Sequence, residues 1–268
     1  MRDQASSLRE LKAQYQRLVA RPKQETPKDF LASLKRQSPL SAVVLVYPDK
    51  LQVIYPDMSL WLNKIIKNPD KTLLWDQANI LKNPSSLCNN QDDLRIKVLP
   101  RQPELLTLQG RSDSARYDFL KEMANRFNSH NEVWITIKAS EIAYYHYLIS
   151  AVSNICVMIP DSQEAIINCY ESIKNIHKIK NNLDIFLLDF SSKPFVSEER
   201  YSARIKNVAK QFLGIDLTPM GVVLSSGRYF PQINEGGLLG VHNSTDSACG
   251  DFMYTFSESI VYNSLGMN

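Results

Sequence analysis

The chain has 268 residues, 44% of them hydrophobic, and a formal net charge of +3. That size and apolar content support one large domain with its own core. The charge is too small to argue for direct nucleic-acid binding, and no apolar run approaches the roughly 20 residues that span a bilayer, so stable membrane insertion is not expected.

Residues 1–37 form a basic arm with nine Lys/Arg against four Asp/Glu. The opening stretch, MRDQASSLRELK, is charged and amphipathic and lacks an apolar h-region, so a cytoplasmic location is expected rather than secretion. Ala5, Leu8, Leu11, Tyr15 and Leu18 recur at spacings of three and four, which predicts a short helix with one apolar stripe. RPKQETPKDF follows with two prolines and mixed charge, the composition of a linker. A second short helical stretch, about 28–36, leads to Pro39. The arm's basic charge has two readings, a solvated helix face or a partner-binding surface.

Residues 38–268 read as one α/β domain. Short apolar, β-branched runs occur at 42–47, 71–76, 94–99, 132–137, 155–160, 184–190 and 221–224, mostly separated by segments of helical period. The best of these is 162–177, where Ile166, Cys169, Tyr170, Ile173 and Ile176 share a face and Asp161 with Glu164 imitates a capping box. Strands apolar on both faces and alternating with helices predict a doubly wound, mostly parallel sheet of about seven strands, covered on both sides. The four cysteines, Cys88, Cys156, Cys169 and Cys249, form no CxxC pair; Cys156 and Cys169 read as reduced core residues. The four histidines have no metal-ligand spacing, so no metal site is expected.

Toward the carboxy terminus, Ser225 and Ser226 in LSSG lack the GxSxG frame of a nucleophile elbow. The glycine-containing stretch 227–240 reads as a loop. Phe252, Phe256 and Ile260 at spacing four predict a helix. With no Lys or Arg after Arg228, attraction to anionic lipid is missing, and packing onto the core is the expectation.

Several stretches resemble the MinD/ParA-type (SIMIBI) ATPase family, especially its flagellar-number branch FlhG, also called FleN. EAIINCYESIK, within residues 155–176, follows the family pattern TAITDAYALIK. KQFLGIDLTPMGVVLSS is similar to RFLGVELEYLGYIPYD. DQASSLR, Asp3 to Arg9, has the form DQAxxLR of the FlhG amino-terminal arm.

The nucleotide site that the resemblance implies is altered at four places. The family's first strand leads to GKGGVGKT, whose glycines permit positive φ and close approach to phosphate. Here the strand leads to YPDKLQVIYPDMS, and the first glycine of the chain is Gly110. Pro48 and Pro56 remove N–H donors, Asp49 and Asp57 add like charge, Val53 and Ile54 resist positive φ, and Lys50 is the single basic residue. The second strand keeps Asp76 but has Gln77 and Ala78 where the motif continues to a second acid. Thr136 stands in place of the metal-side aspartate, with Lys138 after it. The adenine-reading asparagine corresponds to Asp189, which accepts but cannot donate. As independent polar residues, Asp76 and Asp189 read as helix caps or solvent-facing groups.

The resemblance therefore implies a non-catalytic relative, a pseudo-ATPase with no catalytic, cofactor-binding or metal residue and no ATP-dependent dimer. It implies an FlhF-like GTPase as partner, with flagellar switch proteins or a flagellar transcription activator as further candidates, and recruitment to the cell pole. The partner-binding residues are Asp3, Gln4, Ala5, Leu8, Arg9 and Leu11. Leu8 and Leu11 would enter a groove, Gln4 would orient an attacking water, and Arg9 would hold a phosphate or carboxylate. A working ATPase with an unorthodox site, or a scaffold or antagonist of a flagellar transcription regulator, are the alternative expectations.

Overall fold

The computed structural model describes residues 30, 31, 34, 40–49, 61–80, 96–191, 201–224, 229–231 and 252–264. The chain divides into two compact units, Met1–Arg36 and Gln37–Asn268. In the first, Phe30, Leu31 and Leu34 are described, each helical.

Among the described residues, the second unit has eight strands: β1 (Ser41–Tyr47), β2 (Thr72–Asp76), β3 (Lys97–Pro100), β4 (Glu132–Lys138), β5 (Asn154–Pro160), β6 (Asp184–Ser191), β7 (Thr218–Leu224) and β8 (Tyr229–Pro231). Their order in the sheet is β3-β2-β4-β1-β5-β6-β7-β8. Every pairing from β3 to β7 is parallel, and β8 runs antiparallel to β7. The α/β, mostly parallel expectation thus holds, with helices named below. One expectation is corrected: Tyr229–Pro231, inside the stretch read as loop, is a strand. Three residues pairing with Gly221–Val223 are too few to leave a periodic signal. The third strand also begins later than its apolar run, at Lys97.

Helices among the described residues include α1 (Asp113–Phe127), α2 (His146–Ala151), α3 (Gln163–Ile179), α4 (Tyr201–Leu213) and α5 (Phe252–Ser264). The 3-10 helices Pro103–Gly110 and Ala139–Tyr145 follow β3 and β4. In α3, Cys169, Ile173 and Ile176 are buried while Ile167 is exposed, as the helical spacing requires. Gly214 stops α4 with φ +69, the left-handed conformation that glycine adopts without a Cβ clash.

The two faces of the sheet fill separately. On one, Val43, Leu45, Leu74, Trp134, Cys156, Met158 and Leu188 pack with Trp61, whose ring meets Trp134 edge-on at 6.2 Å between centroids. On the other, Trp75 meets Phe127 of α1 at 5.3 Å and Phe256 of α5 at 6.5 Å. Phe252, Phe256 and Ile260 are all buried, so α5 packs onto the core as its spacing predicts. Each such aromatic contributes about 1.5–3 kcal/mol by leaving water. Both faces being filled explains why β1 and β5 are continuous apolar runs.

Candidate functional site

In an open parallel sheet, ligands bind outside the carboxyl ends of the strands, where the strand order reverses. Here the chain leaves β1 toward β2 on one side and crosses from β4 to β5 on the other, which places that point at the ends of β4, β1 and β5. Pro48 and Asp49 follow β1 directly. Asp49 accepts a hydrogen bond from the Ser140 hydroxyl at 2.6 Å, tying the end of β1 to the segment after its neighbour β4. Lys50, Val53, Ile54, Pro56 and Asp57 lie outside the described residues, as do the arm residues Asp3, Gln4, Ala5, Leu8, Arg9 and Leu11.

The three other positions at which the resemblance implies a change are described. Asp76 and Thr136 are register partners on the adjacent parallel strands β2 and β4, so their side chains leave the sheet on one face. The Thr136 hydroxyl donates to Asp76 Oδ1 at 2.8 Å and accepts from the Ala78 N–H at 3.2 Å. The Ile80 N–H also donates to Asp76 Oδ1, at 3.0 Å. Asn79 takes φ 56 in this turn, a conformation asparagine tolerates better than most residues. The reading of Asp76 as a helix cap or solvent-facing group is therefore corrected. It is 3% exposed and organises the turn 76–80 while holding β4 to β2. A threonine beside it satisfies the carboxylate, whereas a second acid there would repel it.

Asp189 behaves as the helix-cap alternative predicts. Its two carboxylate oxygens accept from the N–H and the hydroxyl of Ser202, in the first turn of α4. The carboxylate answers a helix N–H that has no intrahelical acceptor. Between these two acids, the Ser191 hydroxyl donates to Asp161 Oδ2 at 3.1 Å, joining the ends of β6 and β5.

A second polar group gathers at the ends of β2 and β3. Arg101 pairs with Glu141 at 2.9 Å, and the Gln102 N–H donates to Gln77 Oε1 at 3.2 Å. Tyr145 is buried beside them. Its phenol is raised well above the usual range, first by burial and then by Glu141, with Arg101 opposing and Asp76 adding to the rise. Ser140, Ser202, Gln77, Arg101, Glu141 and Tyr145 were not singled out as site residues from sequence. Apart from Tyr145, each bonds a partner 13 or more positions away, as Ser202 does with Asp189, and periodicity carries no trace of such pairs.

Cys156 and Cys169 are free and buried. Burial, with Asp189 nearby, pushes the Cys169 thiol up to about 12, so it stays protonated and unreactive at neutral pH. Among the described residues, no three His, Cys, Asp or Glu side chains form a metal-ligand group, and no helix is long and apolar enough to cross a membrane.

No protein-family model matches the chain, and no curated protein matches it. Solved structures do. A plasmid partition protein from Borrelia burgdorferi is 12% identical, with 86% of this chain and 100% of that one covered at a TM-score of 0.44. The MinD cell division protein of Aquifex aeolicus is 11% identical over 85% and 98% of the two chains, also at 0.44. The signal recognition particle receptor FtsY from Elizabethkingia anophelis is 11% identical over 87% and 69%, at 0.41. Likenesses of this size carry no inference about activity, and the fold class rests on the strand order itself.

Proposed function

We propose that this chain is a non-catalytic, FlhG-like regulator that acts by binding. Its DQAxxLR arm docks on an FlhF-type GTPase in the control of flagellar number or placement, and its α/β domain does not turn over ATP. The observation that supports the non-catalytic half is the use of the strand-end acids. Asp76 is held by Thr136 and Ile80, Asp189 by Ser202, and Asp49 by Ser140. Asp76 and Asp189, which the resemblance would aim at magnesium and adenine, serve here as internal braces, beside a first loop with prolines in place of glycines. The docking half is supported by the motif Asp3–Arg9.

The test is GTP hydrolysis by the FlhF-type GTPase of the same cell, with the full chain added. Stimulation is expected. Gln4→Ala lowers the stimulated rate more than the affinity, because its contribution is to orient water in the transition state. Leu8→Ala weakens binding by about 1–3 kcal/mol through lost burial. Binding without stimulation keeps the docking claim and removes the activating one. Absence of binding, combined with a defect on charge reversal at Arg17 and Arg21, transfers the case to a scaffold acting on a transcription regulator.

A further inference from the structure

Among the described residues six large apolar side chains are exposed, and three of them stand on two adjacent helices: Ile167 (61%) on α3, and Val208 (36%) and Phe212 (67%) on α4. These helices follow the consecutive parallel strands β5 and β6, so right-handed crossovers set them side by side on one face of the sheet. They pack on one another. Each returns the chain from the carboxyl edge to the amino edge, so the two run in the same direction. The core-facing stripes are already supplied by Cys169, Ile173 and Ile176 of α3 and by Ile205 and Ala209 of α4. Ile167, Val208 and Phe212 are surplus to the core, and exposed apolar groups gathered on neighbouring elements mark interaction surfaces.

Residues four apart on a helix lie almost in line. Arg204, Val208 and Phe212 form one such stripe, exposed throughout. Lys206 and Lys210 are two positions from Val208 and Phe212, about half a turn away, and lie off it. Asp216 follows the end of α4 by three positions and pairs with Lys206 at 3.2 Å. On α3 the exposed stripe includes Ile167, Glu171 and Lys174.

Both stripes are complementary to themselves when reversed. Laid antiparallel on a second copy about the level of Lys210, α4 sets Val208 of one chain against Phe212 of the other, and its Arg204 end over the Asp216 end. About the level between Ser172 and Ile173, α3 sets Glu171 against Lys174. At 1.5 Å per residue both midpoints lie about 14 Å from the start of their helix, so a single two-fold axis serves both. Self-complementarity under a two-fold axis is the requirement of an isologous interface. Other occupants match less well. Anionic lipid is repelled by Glu171 and Asp216, and a partner of one sign of charge meets like charge on one of the stripes.

We propose that the α3–α4 face is a homodimer interface, with two copies packed antiparallel, Val208 against Phe212 and Glu171 against Lys174. The carboxyl edge and the arm take no part, so this association is independent of ATP and of the GTPase reading.

The experiment is sedimentation velocity of the full chain without nucleotide, across a hundredfold micromolar range. The expected result is a concentration-dependent shift from the 30.6 kDa mass of one chain to twice that mass. Phe212→Asp, at a position already exposed, is expected to weaken association by about tenfold or more while circular dichroism stays unchanged. Glu171→Lys and Lys174→Glu each weaken it, and the two together restore it, because the exchanged charges meet again across the axis. A chain that is monomeric throughout the range overturns the proposal. So does a dimer unaffected by Phe212→Asp, or a charge exchange that restores nothing. If Phe212→Asp fails to fold, the charge exchange decides.

Discussion

Two strand-end aspartates at the same edge of the sheet are used in different ways. Asp76 closes β2 and Asp189 lies near the end of β6; both are buried, at 3% and 5% exposure. Asp76 gathers two donors from separate elements onto one oxygen, the Thr136 hydroxyl across the sheet and the Ile80 N–H along its own turn. Asp189 accepts on both oxygens from Ser202, at the start of a helix. What each strand leads to decides the difference. After β2 the chain turns within four residues, so the carboxylate meets its own turn and the neighbouring strand. β6 is followed by α4, whose first N–H groups have no intrahelical acceptor. An acid at a strand end is thus no sign of a ligand site until its donors are known.

Breaking the Asp76 brace has the largest expected effect. Asp76→Ala leaves the Thr136 hydroxyl and the Ile80 N–H without an acceptor in a dry site and costs about 3 kcal/mol in urea unfolding, with an unchanged m-value. Asp189→Ala follows at about 2 kcal/mol. Its loss is local, so amide exchange quickens in the first turn of α4 before the rest of the domain. Thr136→Val keeps the shape and removes both roles of the hydroxyl, at a cost of about 1–2 kcal/mol. The contrast sharpens in combination. Thr136→Val with Asp76→Ala costs less than the sum of the two, whereas Thr136→Val with Asp189→Ala adds within about 0.5 kcal/mol, because the bonds described for Thr136 and for Asp189 lie on separate elements. The smallest effect belongs to Asp49→Ala, which removes an exposed bond to Ser140 and changes stability by no more than about 0.5 kcal/mol.

The parallel sheet was legible because strands such as Val43–Val46 and Ile155–Ile159 are buried on both faces and read as unbroken apolar runs. The carboxy-terminal helix was legible from Phe252, Phe256 and Ile260, whose spacing of four is the helix period itself. β8 was not, since three residues at an edge need no periodic pattern. Of the candidate site, only the identity of local residues could be read: proline and aspartate after β1, and a threonine near the end of β4. The capping role of Asp189 was one of two open readings. The Asp76–Thr136 bond was hidden because it depends on register between strands 60 positions apart, which one sequence does not encode in any local pattern. The Arg101–Glu141 and Gln102–Gln77 contacts were hidden for the same reason, as separate elements have to pack before those residues meet.

The central claim is that the carboxyl edge is braced internally and does not hold a nucleotide. The most direct test is calorimetric titration of Mg-ATP into the full chain. The account predicts no saturable heat, because on the proposed reading the first loop offers prolines where phosphate needs glycine N–H groups and Thr136 takes the place of a metal-side acid. Saturable binding of one ATP per chain with a micromolar dissociation constant would contradict it and return the protein to the working ATPases.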